Sequence, residues 1–413
     1  MRVLILGVDG YLGWPLTLGL KAAGHHVGGV DCYNRRKWIR EIGGQSATPI
    51  KSMPERLDAL KEHFPGGAQF FEGDVTDYKF LAGVLEIFQP EAIVHLAEMP
   101  SAPYSMIDVE HCVSTHKNNL IGTLNLLFSM RDHCPKAHLV KLGTMGEYGT
   151  PNIPIPEGFF EVEYRGKRAE LPFPRQASSW YHQTKVHDSN NIMMACRMWG
   201  LRCTDIMQGV VYGITTDEMR DDERLLTRFD FDQCFGTAIN RFCAQAVIGS
   251  PLSPYGGGGQ KRGFLPLCDS MTCLTLSVEN PPALGEYRVF NQFAQVYKIQ
   301  ELAEKVQSAA ADLGLMVDII NLENPRVEDE SHLYQPDHQG LLDLGYVPTL
   351  DIKAQLTGVL SELIKHRQRI SEVEQVLEPS IRWEGDITPC QPKDEQEGLT
   401  SDSETKALLS KAM

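Results

Sequence analysis

The 413-residue chain contains no apolar run of about 18 residues, so no segment reads as a membrane span. No charged-then-apolar leader opens it: Met1-Arg2-Val3-Leu4-Ile5-Leu6-Gly7 begins directly in a strand-like pattern. Its ten cysteines include no CxxC pair, the closest spacing being Cys268 to Cys273. That argues against a zinc site or a disulfide framework, and no metal is expected. Reduced, mostly buried thiols suit a cytoplasmic compartment. Positive charge is scarce as well: 39 Lys+Arg stand against 54 Asp+Glu, a net charge of −15, without a local basic patch. So acidic a surface repels phosphate backbones and anionic lipid, which excludes nucleic acid and membrane surfaces as expected partners. Repeats and low-complexity blocks are absent too.

What remains is an ordinary globular balance of 42% hydrophobic and 23% charged residues. At about 100–200 residues per domain, this length predicts two or three domains, or one large core with a second lobe. Apolar runs at Val3–Gly7, Val27–Asp31, Gln69–Val75, Ala92–Glu98, His138–Met145 and Arg202–Gly213 read as strands. Helical patterns lie between them, for example Pro15–Ala23 and Asn119–Arg131. Alternating strands and helices predict a Rossmann-type, doubly wound parallel sheet covered on both faces. Residues 1–213 are read as this nucleotide-binding domain, with later returns near 236–250 and 262–280. Residues 214–383 are read mainly as a smaller, interleaved α/β lobe that binds substrate, with helical patterns at Ile299–Gly314 and Ile352–Glu374. From Glu384 onward the chain is polar and acidic and reads as a mobile tail, with a short helical pattern at Glu404–Ala412.

Two motifs carry chemistry. Gly7-Val8-Asp9-Gly10-Tyr11-Leu12-Gly13 follows a strand and opens a helix, giving G-x-x-G-x-x-G. Glycines there allow a tight turn and close approach of the backbone to a pyrophosphate, which the helix N-terminus then holds. Asp31, at the end of the second strand, is placed to bind a ribose 2′-hydroxyl, so NAD is expected rather than NADP. Arg35 and Arg36 follow it closely and qualify that preference, because an arginine also accepts a phosphate. The second motif is Tyr181-His182-Gln183-Thr184-Lys185. Tyr181 and Lys185 share one helix face, and a nearby ammonium lowers a phenol pKa, so Tyr181 is the expected proton acceptor from an alcohol. Thr144, at a strand's carboxyl end, supplies a hydroxyl to the same oxygen. By chance, Y-x-x-x-K is also two unrelated surface residues.

The glycine loop, acid, threonine and Tyr-x-x-x-Lys together resemble the extended short-chain dehydrogenase/reductase (NAD-dependent epimerase/dehydratase) family. Longer strings resemble its UDP-sulfoquinovose synthase branch, among them Ser101–Asp108, Leu142–Ile153, Gln208–Gly213, Phe235–Ala238, Asn240–Cys243 and Asn324–Glu328. The resemblance implies tightly held, recycled NAD and a nucleotide-sugar substrate. Hydride leaves C4, the ketone acidifies C5–H, water leaves C6, sulfite adds, and hydride returns. It also implies a homodimer formed through two helices of each subunit. Further cofactor positions are Arg35, Asp74, Val75, Leu96, Ala97, Glu98, Asn119, Tyr181, Lys185, Gln208 and Val211. Substrate positions are Tyr104, Met145, Gly146, Thr237, Tyr255, Gln260, Arg262 and Arg326, the two arginines as diphosphate grips.

Related 4,6-dehydratases carry Asp-Glu directly after the threonine, where Met145-Gly146 stands here and in the sulfoquinovose branch. Acid and base for elimination must therefore come from elsewhere; His182 is the first candidate and Glu147 the second. A merely structural His182 is the plain alternative. This chain also departs from that branch: Met99-Pro100 replaces Gln-Arg, and Pro266 and Cys268 replace Asp and Arg, although Asp269 is retained. C4 oxidation is expected, and the lost charges bear on sulfite addition. The rivals are an epimerase or dehydratase of another nucleotide sugar, and a silent NAD-binding regulator.

Overall fold

The computed structural model describes residues 1–327 and 332–383. Its first strand, β1 (Arg2–Leu6), is a continuous aliphatic run whose Val3 to Leu6 are all fully buried, as a strand covered on both faces requires. The others are β2 (His26–Asp31), β3 (Gln69–Glu72), β4 (Ala92–His95), β5 (His138–Thr144), β6 (Phe159–Tyr164), β7 (Lys167–Pro172), β8 (Arg202–Gln208), β9 (Val210–Tyr212), β10 (Lys261–Pro266), β11 (Tyr287–Gln292) and β12 (Gln295–Lys298). Seven form one parallel sheet in the order β3-β2-β1-β4-β5-β8-β11. Chain order reverses between β1 and β4, and ligands of such sheets bind at the carboxyl ends there. This is the Rossmann-type fold expected.

Each face of the sheet has its own apolar layer. Trp14, Leu16 and Leu20 from helix Gly13–Ala22, with Met271 and Leu274 from Leu267–Glu279, cover one. Leu81, Leu85, Leu126, Leu127 and Ile192, from helices Tyr78–Phe88, Gly122–His133 and Trp180–Trp199, cover the other. A third cluster forms the smaller lobe around helices Ala238–Ile248, Ile299–Asp312 and Ile352–Ile364. A three-stranded sheet, β12-β10-β9, belongs to that lobe, and β6-β7 is a separate hairpin.

Several expectations need correction. The run 202–213 is two strands in two sheets, not one. It breaks at Gly209, where a Cβ would stand 2.7 Å from the Gly263 carbonyl oxygen and 2.9 Å from that of Gln292. Residues 236–250 do not return to the nucleotide domain, because helix Ala238–Ile248 packs in the smaller lobe. The return is made by helix Leu267–Glu279 and by β11, whose burial the sequence pattern did not reveal. The expected Ile352–Glu374 helix stops at Ile364, with a short helix Arg367–Ser371 following. The tail from Glu384 and its helical pattern lie outside the described residues.

Helix Asn119–Arg131 is also longer than read. It starts at Val109 and passes through one π-helical turn, Lys117–Ile121. Such insertions redirect side chains and cluster at functional sites. Here the turn sends Asn119 inward: it accepts from Met99 N–H (2.8 Å) and donates to Thr184 Oγ1 (2.8 Å). Thr184 Oγ1 in turn donates to the Tyr181 carbonyl (2.7 Å), so one asparagine ties the loop after β4 to the helix carrying Tyr181.

Candidate active site

At the carboxyl ends of the central strands lies a cavity of about 380 Å³. Gly7, Gly10, Tyr11, Leu12 and Gly13 form one end, with Asp31, Arg35, Asp74 and Val75 beside them. Leu96, Ala97 and Glu98 follow from the loop after β4, and Gln208 and Val211 from the β8–β9 crossing. Thr144, Tyr181, His182 and Lys185 stand at the centre, with Thr237 and Arg326 supplied by the smaller lobe. A wider groove, near Thr215–Glu223 and Glu362–His366, brings no comparable set of groups together.

The glycine loop fits a pyrophosphate. A Cβ on Gly7 (φ +90°) would lie 2.7 Å from the Leu96 carbonyl carbon, and one on Gly13 would lie 2.9 Å from Val8 Cα. The Asp31 carboxylate is held by N–H groups of Asp9 (2.8 Å) and Tyr33 (2.7 Å) while still lining the cavity. Burial, then the neighbouring Asp9 charge, raises its pKa to about 6. Arg35 lines the same end of the cavity, paired at 2.6 Å with Asp230, which Arg228 also holds, and lying 3.4 Å over the Phe235 ring.

Ser179 caps the helix that carries Tyr181, accepting from His182 N–H at 3.2 Å. Tyr181 N–H donates to Ser105 Oγ at 3.0 Å, which fixes the start of that helix against the Ser101–Asp108 segment. Lys185 Nζ donates to the Leu142 carbonyl at 2.6 Å, stands 5.8 Å from the Tyr181 ring centre, and is ion-paired with Glu98. This pairing corrects one expectation. The phenol pKa is not lowered: burial first and the Glu98 charge second hold it well above its ordinary value, against Lys141.

His182 sits directly over Gly146. A Cβ at residue 146 would strike Nε2 and lie 2.7 Å from Cδ2 and 2.9 Å from Cε1. The imidazole thus fills the space a side chain at 146 would need. Its Nδ1 is 2.9 Å from Ser179 Oγ. Burial, then Arg326 and Arg262, push its pKa down to about 3, so it is neutral around pH 7.

Other candidates stand outside the cavity. Glu147 is fully buried between Lys141 (3.2 Å) and Arg175 (2.5 Å), and also accepts from Ser189 Oγ and Thr144 N–H, the surroundings of a counter-ion. The Asp9 side chain turns away into two arginines, Arg36 and Arg56. Asn119 is spent on the scaffold, and its neighbour Asn118 lines the cavity instead. Tyr104 is buried, donating to Glu41 at 2.7 Å and leaving Ala102 and Pro103 as the lining. Met145 packs in a core with Tyr148 and Phe173, and Gly146 acts only through His182. Tyr255 is bound by Arg241 (2.7 Å), Gln260 is buried, and Arg262 approaches His332 (3.3 Å); none lines this cavity. Trp38, Asn118, Phe235 and Asp230 do line it and were missed: Phe235 and Asp230 come from far along the chain, and Asn118 sits in the π turn.

A profile of the NAD dependent epimerase/dehydratase family matches residues 3–291. The chain belongs to this family. It is 46% identical over 382 residues to the spinach UDP-sulfoquinovose synthase, chloroplastic, covering 92% of this chain and 79% of that protein. To the Sulfolobus acidocaldarius UDP-sulfoquinovose synthase it is 45% identical over 384 residues, 93% of this chain and 98% of the relative. Among solved structures, the Thermotoga maritima UDP-glucose 4-epimerase with UDP-glucose superposes with TM-score 0.66 at 18% identity, covering 88% of this chain and 99% of that one. The Bacillus cereus UDP-glucuronic acid 4-epimerase, in complex with UDP-glucuronic acid and NAD, gives 0.65 at 18% with the same coverage. At that identity the likeness speaks to the fold.

Proposed function

We propose that the chain is an NAD-dependent nucleotide-sugar enzyme of UDP-sulfoquinovose synthase type, oxidising the sugar at C4 and re-reducing it. The observation that carries this reading is the single cavity joining the glycine loop and Asp31 to Thr144, Tyr181, Lys185 and His182. The glycine loop and Asp31 hold the cofactor; when bound, NAD supplies reversible hydride transfer and, oxidised, a positive charge. Tyr181 exchanges the C4 hydroxyl proton, and the Thr144 hydroxyl orients the same oxygen. Lys185, gripped by Glu98 and the Leu142 carbonyl, fixes the polar wall beside the phenol. A C5–H alpha to a C4 ketone is acidic enough for a side-chain base, whereas the unactivated bond is not. Neutral His182 moves that proton, water leaves C6, and sulfite adds there. Gln208, Thr237 and Arg326 are assigned to the substrate, the guanidinium to its anionic groups.

One observation favours a second reading. Pro100 lines the cavity with neither charge nor N–H, and Met99 beside it is fully buried. Loss of a cation there suits an epimerase that never handles sulfite. Both readings are tested by incubating the chain with NAD and UDP-glucose, with and without sulfite, and following products by mass and NMR. A sulfite-dependent sulfonated nucleotide sugar is expected. A same-mass isomer formed without sulfite would replace the reading by epimerisation, and no turnover on a nucleotide-sugar panel would leave a silent NAD binder.

A homodimer is part of the proposal. Helices Val109–His116 and Trp180–Trp199 pack side by side and expose Val109, Val113, Trp180, Met194 and Met198. Isolated apolar side chains are ordinary on a surface, but two adjacent helices carrying this many fit a self-complementary interface. Sedimentation should give a dimer that Val113→Glu with Met198→Glu dissociates. The nine described cysteines are unpaired, which suits a reducing compartment such as the cytoplasm. Among the described residues no helix is long and apolar enough to cross a membrane.

A further inference from the structure

Asp9 lies inside the glycine loop, yet its carboxylate is only 1% exposed and does not line the cavity. Arg36, on the helix that follows β2, donates to it twice, Nε to Oδ2 and Nη2 to Oδ1, both at 2.7 Å. Arg56 Nη1 adds a third bond to Oδ1 at 2.8 Å, with its guanidinium 4.1 Å over the Trp14 ring and Nη2 on the Leu226 carbonyl. Arg36 Nη2 also donates to the Lys51 carbonyl at 2.9 Å. All of this lies against the adenosine end of the cavity, because the backbone N–H of the same Asp9 donates to Asp31 Oδ2.

An arginine just past the second strand is what a 2′-phosphate would seek, and an unmatched carboxylate at that strand's end is what a 2′-hydroxyl seeks. This chain has both. We propose that Asp9 is a specificity-determining residue for the cofactor: by holding Arg36 on its own buried carboxylate it leaves Asp31 as the charge that meets the ribose, and so excludes NADP. Asp9 is a positioning residue in this scheme, acting through Arg36 and not by touching the nucleotide. The inference rests on the NAD-binding reading above and deepens it. Arg56, fully buried, already gives Asp9 a counter-ion, so the pair with Arg36 is a second one.

The test equilibrates the full chain with equal concentrations of NAD and NADP, then releases and quantifies the bound nucleotides. Wild type is expected to hold NAD. Asp9→Asn is expected to shift the bound ratio toward NADP by about tenfold or more, the yield of one charge-assisted bond to phosphate. Adding Arg36→Ala should cancel that shift. A folded Asp9→Asn chain with an unchanged ratio, or a shift that survives Arg36→Ala, would overturn the proposal. Should Asp9→Asn fail to fold, Asp31→Asn keeps the question open to decision, because it leaves the Asp9 pairs intact. It should weaken NAD without creating a preference for NADP. An Arg36-dependent NADP preference in that variant would mean Arg36 is available with Asp9 present, and would sink the idea. A wild type that binds neither nucleotide refutes the NAD reading itself, which is a different failure.

Discussion

Replacing Gly146 with alanine tests the assignment of His182 without touching the histidine. The new Cβ would overlap Nε2 and stand 2.7 and 2.9 Å from Cδ2 and Cε1. Ordinary carbon contacts are about 3.5–4.0 Å, so the ring must retreat by about 1 Å. Its retreat also stretches the 2.9 Å contact between Nδ1 and Ser179 Oγ. The backbone at 146 is helical rather than left-handed, and Ala is favoured over Gly there by about 0.5–1 kcal/mol, so the fold should survive. A displacement of about 1 Å of an acid–base group costs on the order of 100-fold in rate, or about 2.7 kcal/mol in barrier. Gly146→Ala is therefore expected to keep its NAD and its ability to form NADH from a UDP-hexose, while turnover to final product falls by about that factor. Single-turnover absorbance separates the two steps. His182→Asn should reproduce the defect, and the double variant should be little worse than either single one, as for residues acting as a unit. Wild-type turnover in a folded Gly146→Ala chain would refute the role given to His182.

Three further outcomes are expected. Tyr181→Phe should abolish turnover while NAD remains bound, checked by activity and by the nucleotide content of the purified chain; undiminished activity removes Tyr181 from the mechanism. Glu98 raises the Tyr181 pKa, so Glu98→Gln should lower it and move the alkaline-rising limb of the pH–rate profile toward lower pH; a limb that stays or moves upward contradicts the charge coupling. Glu147→Gln leaves Lys141 and Arg175 buried without their shared partner and should destabilise the fold by about 3–5 kcal/mol in urea unfolding. Unchanged stability there would mean that the carboxylate is not the counter-ion it is taken for.

The sheet was legible because its strands are local events. Val3–Leu6 and Ala92–His95 are aliphatic runs, and a strand buried on both faces needs little more. The glycine loop, Asp31 and Tyr-x-x-x-Lys were legible because each motif's spacing is set by one turn or one helix. What escaped depends on distant partners. The sequence makes Arg35 a cofactor position, but its pairing with Asp230, 195 residues away, has no local signal. Glu147 looked available until Lys141 from β5 and Arg175 from beyond the hairpin closed on it. The break at Gly209 has no signal in its own neighbourhood, because the backbones that demand a glycine belong to β10 and β11. Asn118 and Asn119 exchanged roles through a single π turn that helix periodicity does not forecast.

Charge gives the last step. A chain of net charge −15 that binds two anionic ligands needs cations in its cavity, yet most of those present are already matched. Arg35 shares Asp230 with Arg228, Lys185 answers Glu98, and Arg36, just outside, shares Asp9 with Arg56. The end beside the glycine loop presents the carboxylates Asp31 and Asp74, of a kind that suits ribose hydroxyls and repels phosphate. Arg326 is different: among the described residues it has no carboxylate partner, only the Trp383 ring at 5.3 Å, and it lines the cavity beside His182. The cavity is polarised, acidic at Asp31 and Asp74 beside the glycine loop and cationic at Arg326 beside His182. That polarity also bears on Pro100. The loop after β4 presents Pro100 and no cation, whereas the smaller lobe offers Arg326, so Arg326→Ala should raise the KM for the nucleotide sugar far more than it weakens NAD. Equal losses for both ligands would place Arg326 in the scaffold and remove the polarity from the explanation.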